Sequence, residues 1–209
     1  MAPSMSDKAA FASVVVRRLR RSEMNLVIDH FMRLDDESRR RRFCRPVNDA
    51  YLRSYVMGEK YRPGHIEGVF VDGVLRGIAE LRPLGGEYRG HAEAAFSVEL
   101  PFQRRGLGTR LFERLVLRAR NHGIHTLSMA CLPENRAMQT LARRLGGSIV
   151  RWPGEMQGTL TEEPANVFSM AREAVAEMAG TAFATLDWWA RYDPTGWMPR
   201  RAPSRSRAA

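Results

Sequence analysis

The stretch VELPFQRRGLGTRLFERLV, Val98 to Val116, constrains this chain more than any other. It joins a strand-like run to a helix-like run through a turn that carries two arginines and two glycines. A strand entering a helix through such a turn leaves the first backbone N–H groups of the helix unpaired, at the positive end of its dipole. Gly106 and Gly108 let a bulky group approach the backbone without meeting a Cβ, and Arg104 and Arg105 add charge-assisted hydrogen bonds. The junction reads as an anion cradle, and the expected guest is a pyrophosphate. Two familiar phosphate loops are excluded: no Lys-Ser/Thr follows the glycines, and no third glycine completes a dinucleotide fingerprint. A Gly-x-Gly by itself is equally compatible with a plain helix start bearing an exposed basic turn.

Around this junction strand and helix signals alternate, with no internal repeat. SVVVRRLR (Ser13 to Arg20) reads as a strand, and SEMNLVIDHFMRL as a helix with Ser22 as its N-cap. A further helix is expected from about Asp35, exposing the basic run RRRRFCR (Arg39 to Arg45), and another turn or two over NDAYLRSYVM. HIEGVFVDGVLRGIAELRP gives two β-rich runs joined at Asp72-Gly73, a pair suited to a tight hairpin because glycine accepts positive φ. HAEAAFSVEL is the next strand. In the following helix Leu107, Leu111, Leu115, Phe112, Val116 and Ala119 recur at helical spacing, with Arg110, Glu113, Arg114 and Arg118 expected on the wet face. IHTLSMACL is a strand, PENRAMQTLARRLGG a short helix with Gly146 or Gly147 as a left-handed cap, and SIVRWPG and MQGTLTEEP are strand candidates. The order β-α-β-β-β-α-β-α-β-β describes an α/β fold, a mixed sheet with flanking helices.

Composition narrows the class. A chain of 209 residues with 44% hydrophobic content can bury one sizeable core. No apolar run approaches the roughly 20 residues of a membrane span, and the N-terminus lacks the apolar core of a secretory signal, so the expected location is cytoplasmic. Cys44 and Cys131 have no metal or disulfide spacing, and the five histidines show no ligand pattern, so no metal is expected. The net charge of +10 asks for an anionic partner. Arg200 to Arg207 contributes four of those charges and reads as a disordered tail. The run Arg39 to Arg45 is either a solvated face with ion pairs or a contact to a ligand.

QRRGLGT, Gln103 to Thr109, resembles the Q/R-x-x-G-x-G/A signature of the GNAT N-acetyltransferase superfamily, placed between strand and helix as that family requires. The resemblance runs from about Val14 to Glu162. AEAAFSVELPFQRRGLGTRLFERLVLRARNHGI with LPENRAMQTLARRLG, and the early LDDESRRRRF, are most similar to the acetyltransferase domain of bacterial protein lysine acetyltransferases. The resemblance implies a mostly antiparallel central sheet whose two central strands splay near Ser97-Val98 and Met129-Ala130, with acetyl-CoA as co-substrate in the gap. It implies pyrophosphate contacts from Gln103, Arg104, Arg105, Gly106, Leu107, Gly108 and Thr109, pantetheine contacts from Ser97 and Val98, and a further contact from Asn135. A neutral amine must attack the thioester, so a general base or a water chain is needed. Glu93, matching the acid of the A-E-x-A words, is the first choice and Glu99, on the same strand face, the second; either is also a plausible ion-pair partner for the arginines. Where many members of the family carry a tyrosine as general acid, this chain has Ala142. Tyr61 and Tyr88 are substitutes offered by nearby loops, and Cys131 is either a covalent acetyl carrier or a buried structural thiol.

The implied domain spans 13–165, after an N-terminal segment 1–12 and before a helical extension 166–192 and the basic tail 193–209. On the extension Val175, Met178, Ala182, Phe183, Leu186 and Trp189 share one side. Three readings stay open: docking on the domain's own sheet edge, a homodimer contact, and a membrane-surface role through Trp188, Trp189 and Trp197. Three functions compete as well. The first is acetyl transfer to a primary amine, a protein lysine or a small amine, by direct attack. The second is a catalytically weak acyl-CoA-binding regulatory module. The third is nucleic-acid binding, against which stands the lack of any aromatic-interleaved basic motif. Glu80, Glu87, Glu93 and Glu99 are the local acids that could draw a cationic acceptor.

Overall fold

The computed structural model describes residues 13–58, 65–85, 89–144, 146–152, 155–161 and 167–192. The first strand, β1 (Val14–Arg18), is followed by a 3-10 turn (Arg21–Glu23) and three helices, α1 (Met24–Arg33), α2 (Asp36–Phe43) and α3 (Asp49–Met57). Strands β2 (Ile66–Val71), β3 (Val74–Leu84) and β4 (His91–Val98) come next. Helix α4 (Leu107–Asn121), strand β5 (Thr126–Cys131), helix α5 (Arg136–Arg144), strands β6 (Ser148–Trp152) and β7 (Glu155–Thr161) and helix α6 (Val167–Tyr192) complete the chain.

The seven strands form one sheet in the order β1-β2-β3-β4-β5-β7-β6. All neighbours are antiparallel except β4 and β5. That parallel pair is joined only over His91–Glu93 against Thr126–Ser128; beyond those rungs β4 runs on to Val98 and β5 to Cys131 without pairing to each other. The expected mixed, mostly antiparallel sheet with a splayed central pair is therefore present, and the strands part after the Glu93–Ser128 rung, next to Met129 but four residues before Ser97.

Local chemistry explains most of the elements. Asp72 (φ 50°) and Gly73 (φ 77°) both take positive φ, as a two-residue hairpin with the right-handed twist of its strands demands. Asp35 caps α2 by accepting from the Ser38 N–H at 2.9 Å, and Asn48 caps α3 by accepting from Tyr51 at 2.8 Å. Ser22 does not cap α1. It lies inside the 3-10 turn, where Glu23 instead accepts from the Arg20 N–H at 2.8 Å and from the Arg17 guanidinium at 2.6 Å.

Two apolar cores lie on opposite faces of the sheet. Val27, Phe31 and Leu52 from α1 and α3 cover Phe70, Leu75 and Ile78 on one face. Leu111, Phe112 and Leu115 of α4 cover Val69, Ala92, Ala94 and Leu127 on the other. At the β1 edge α6 docks against β1 and α4. The expected apolar side of α6 is turned outward: Val175, Met178 and Phe183 are exposed. What docks is a polar and small-residue face. Gly180 is buried so close to β1 that a Cβ there would come within 2.8 Å of Arg17 Cβ. Glu173 and Glu177 reach Arg118, which also donates to the fully buried Glu67 at 2.5 Å. Arg118, expected on the wet face of α4, is thus a buried ion-pair centre. The side chains of Leu186, Trp188 and Trp189, and the whole of Trp197, Tyr61, Tyr88, Glu87 and the segments 1–12 and 193–209, lie outside the described residues.

Candidate functional site

The parting of β4 from β5 opens a cavity of about 300 Å³. Its floor is the end of β4, its walls the N-terminal ends of α4 and α5, and its rim the basic face of α2, from which Ser38, Arg41 and Arg42 contribute. Among the described residues, no carboxylate lines it.

The turn into α4 leaves the start of the helix without a side-chain cap. Arg104 (φ 57°) and Gly106 (φ 81°) both adopt the left-handed region, which swings the chain so that α4 starts with Gly106 as its N-cap and no side chain capping its first N–H groups. A Cβ placed on Gly106 or Gly108 would meet no protein atom within 4 Å, so nothing inside the fold requires Gly108 to be glycine. The space those hydrogens leave opens outward, which is the fit a phosphate pressed against backbone amides needs. Arg104, Gly106, Gly108 and Thr109 line the cavity; Leu107 turns its side chain into the core, and Arg105 lies on the exposed turn outside the lining.

Gln103 braces the turn: its side-chain amide donates to the Val98 carbonyl at 2.9 Å and stands 3.5 Å from Ser38 Oγ. Asn135 caps α5 by accepting from the Met138 N–H at 3.2 Å while lining the cavity. Ala142 is buried and faces β7, where a Cβ on Gly158 would come within 3.4 Å of it; the α5 residues on the cavity are Ala137, Met138 and Leu141. Cys131 is buried and does not line the cavity.

The two expected carboxylates stand apart. Glu93 is half exposed on the last rung that β4 shares with β5 and pairs with Arg82 at 3.6 Å. Four strand residues, about 13 Å, separate it from Ser97. Glu99 follows the end of β4 and is almost fully buried among cations, accepting from Arg33 Nε at 2.8 Å, from Arg76 at 2.8 Å and from His30 Nδ1 at 3.2 Å. Burial by itself would raise its carboxyl, but the hydrogen bonds from His30 and Arg33 and the Arg33 charge outweigh it and hold Glu99 below the ordinary 4.5. Glu80 is likewise neutralised, paired with Arg42 and accepting from Tyr55 Oη at 2.8 Å.

The residue that sequence reading missed is His30. Its imidazole is fully buried, with Nδ1 on Glu99 and Nε2 at 2.8 Å from Ser97 Oγ. A lone histidine on the apolar stripe of α1 carries no sequence signal, because its partners lie 67 and 69 residues away. The basic run is divided. Arg39 pairs with Asp49 and Arg40 with Glu37 and Glu134, while Arg41 and Arg42, themselves paired with Glu37 and Glu80, also line the cavity.

A parted strand pair, an uncapped helix start and an arginine-lined cleft thus lie side by side. The family model described as the acetyltransferase (GNAT) family matches residues 28–147. The chain belongs to that family and is an acyltransferase. Among solved structures it is similar to the GNAT domain of S. lividans PAT (TM-score 0.60, 19% identity, 70% of this chain and 89% of that one). It is also similar to the ribosomal-protein-S18-alanine N-acetyltransferase of Escherichia coli (0.55, 18%, 74% and 97%). A third is the PaiA N-acetyltransferase of Thermoplasma acidophilum, solved in complex with coenzyme A (0.54, 16%, 72% and 99%). Among the described residues no group of His, Cys, Asp and Glu could hold a metal, and no helix is long and apolar enough to cross a membrane.

Proposed function

We propose that the protein transfers an acetyl group from acetyl-CoA to a primary amine by direct attack of the neutral amine on the thioester. The observation that carries this reading is the cavity beside the open glycines at the start of α4, lined by Arg41, Arg42 and Arg104 and, among the described residues, by no carboxylate. The amides from Arg104 to Thr109 would hold the pyrophosphate, with Arg104 adding charge. The unpaired ends of β4 and β5 would take the pantetheine arm at Ser97 and Val98, with Asn135 beside it.

The acceptor we propose is a protein lysine. A free polyamine keeps several charges and meets no acidic wall among the described residues, where Glu80, Glu93 and Glu99 are each paired with arginine. A lysine side chain brings one charge, lost before attack, on an apolar stem. The segment LDDESRRRRF, which resembles the lysine-acetylating branch, is the segment that places Arg41 and Arg42 at the cavity rim. The carboxylate nearest the reacting end of β4 is Glu99; Glu93, about 13 Å up the strand, would act only through a chain of waters. The exposed stripe of Val175, Met178 and Phe183 on α6 would suit a homodimer contact. A second reading, an acyl-CoA-binding regulator with little turnover, draws on Ala142, which supplies no acid for the departing thiolate.

Calorimetry with acetyl-CoA on the wild type and on Gly108→Glu, followed by thiol release with lysine peptides and small amines, tests the proposal. Micromolar binding by the wild type, none by the folded variant, and release that depends on a lysine peptide is the expected result. Binding without release favours the regulator, and no binding by folded wild type removes both.

A further inference from the structure

The buried chain Ser97–His30–Glu99 has no explanation in packing alone. Three polar side chains from α1, β4 and the turn after it are withdrawn from water, at a site where aliphatic residues would pack without desolvation cost. The direction of each hydrogen bond follows from its neighbours. Arg33 and Arg76 keep Glu99 ionised, so Glu99 can only accept, and the proton of the neutral imidazole must sit on Nδ1. Burial keeps His30 below its ordinary 6.5, against the opposing influence of Glu99 and with that of Arg33. Nε2 therefore carries a lone pair, and Ser97 Oγ donates to it across 2.8 Å. The lone pairs of Ser97 Oγ remain, on a residue that lines the cavity at the end of β4.

We propose that Ser97, His30 and Glu99 form the proton relay of the acetyl transfer, with Ser97 as the catalytic residue that meets the acceptor amine and His30 and Glu99 acting through it. This rests on the acetyltransferase reading above. As the amine nitrogen bonds to the thioester carbon, its proton passes to Ser97 Oγ while the hydroxyl proton passes to His30 Nε2. The imidazolium is then held against the Glu99 carboxylate. When the C–S bond breaks, the proton returns through Ser97 to the departing thiolate, so free CoA and the amide leave with the relay restored. One device thus serves as base and as acid, and the place of a tyrosine at position 142 need not be filled. Glu93, outside the lining, takes no part.

The charged and titratable groups around His30 are Arg33 on its own helix, Arg76 and Glu80 on β3, Glu99 beyond β4, and Arg42 and Tyr55 behind Glu80. The acid limb of kcat/KM should lie below the ordinary histidine range.

The test pairs kinetics on the intact protein with nitrogen NMR of its imidazoles. Ser97→Ala should lower kcat about 100-fold or more and erase the acid limb, and Ser97→Thr should restore most of the loss. Ser97→Ala retaining kcat within about threefold, keeping the acid limb, or an acetyl adduct found on Ser97 of the wild type overturns the relay. The NMR needs no turnover: His30 should be the Nδ1–H tautomer, and an Nε2–H tautomer overturns the relay while leaving the acetyltransferase reading intact. Wild type that binds acetyl-CoA, shows the expected tautomer and acetylates no amine overturns that reading, and the relay with it.

Discussion

Gly106 and Gly108 stand two residues apart in one motif and are required for different reasons. Gly106 has φ 81°, a conformation that costs an L-residue about 1–2 kcal/mol. Gly108 has ordinary helical geometry and open space around its missing Cβ, so its reason lies outside the chain. Gly108→Ala should therefore stabilise the fold by up to about 1 kcal/mol, through helix propensity, while weakening acetyl-CoA at least about tenfold. Urea titration and calorimetry on the same sample check the two halves, and a variant that binds normally would mean the cradle is not used. The motif itself was plain in the sequence because its parts are contiguous. His30 was not, because its role is conferred entirely by Ser97 and Glu99, brought to it by the sheet. Glu99 illustrates the same limit: its even spacing from Glu93 put both on one strand face, but only the fold shows that Arg33, Arg76 and His30 surround it.

At the scale of elements, the strands and helices followed from hairpin chemistry, caps and apolar spacing. What spacing could not show was which side of α6 would dock. Its apolar stripe faces out because the sheet edge offers β1 with Arg17 and, behind it, the buried Glu67–Arg118 pair, which carboxylates on α6 complete. Removing Arg118 strands Glu67 in the interior: Arg118→Ala should cost about 3–5 kcal/mol, read from the urea midpoint. Gly180→Val should lift α6 from β1, seen as faster amide exchange and proteolysis in residues 167–192, with acetyl-CoA binding unchanged because the cavity lies across the sheet at β4. Equal protection in the variant and the wild type would show that the docking is not held by this contact.

For the molecule as a whole, burial and ion pairing give stability a definite pH dependence. Glu23, Asp35 and Glu99 are held below their ordinary 4.5, 3.8 and 4.5, each against the opposing pull of burial. Their contribution is complete above those values and is lost as pH falls through the lower folded ones. His30 is held below 6.5 by burial, so the unfolded chain takes up its proton first and stability begins to fall as pH drops through 6.5. Glu67 works in the opposite sense, because burial holds its carboxyl above 4.5 and the Arg118 and Arg114 charges only partly offset it. Urea midpoints measured from pH 7.5 down to 5 should decline in the wild type, and His30→Gln should flatten the upper part of that decline. An unchanged slope would place the His30 titration outside that range.

The order of strands and helices, the Asp72-Gly73 hairpin and the glycine-bearing turn from Gln103 to Thr109 could be read from the sequence, because each depends on residues within a few positions of one another. Only the tertiary structure decided where β4 leaves β5, which arginines of the run Arg39 to Arg45 face the cavity, and that a histidine on α1 would meet a serine and a glutamate from β4 and its end. Those are consequences of long-range pairing, in which burial and hydrogen-bond partners come from chain segments tens of residues apart, and no local spacing encodes them.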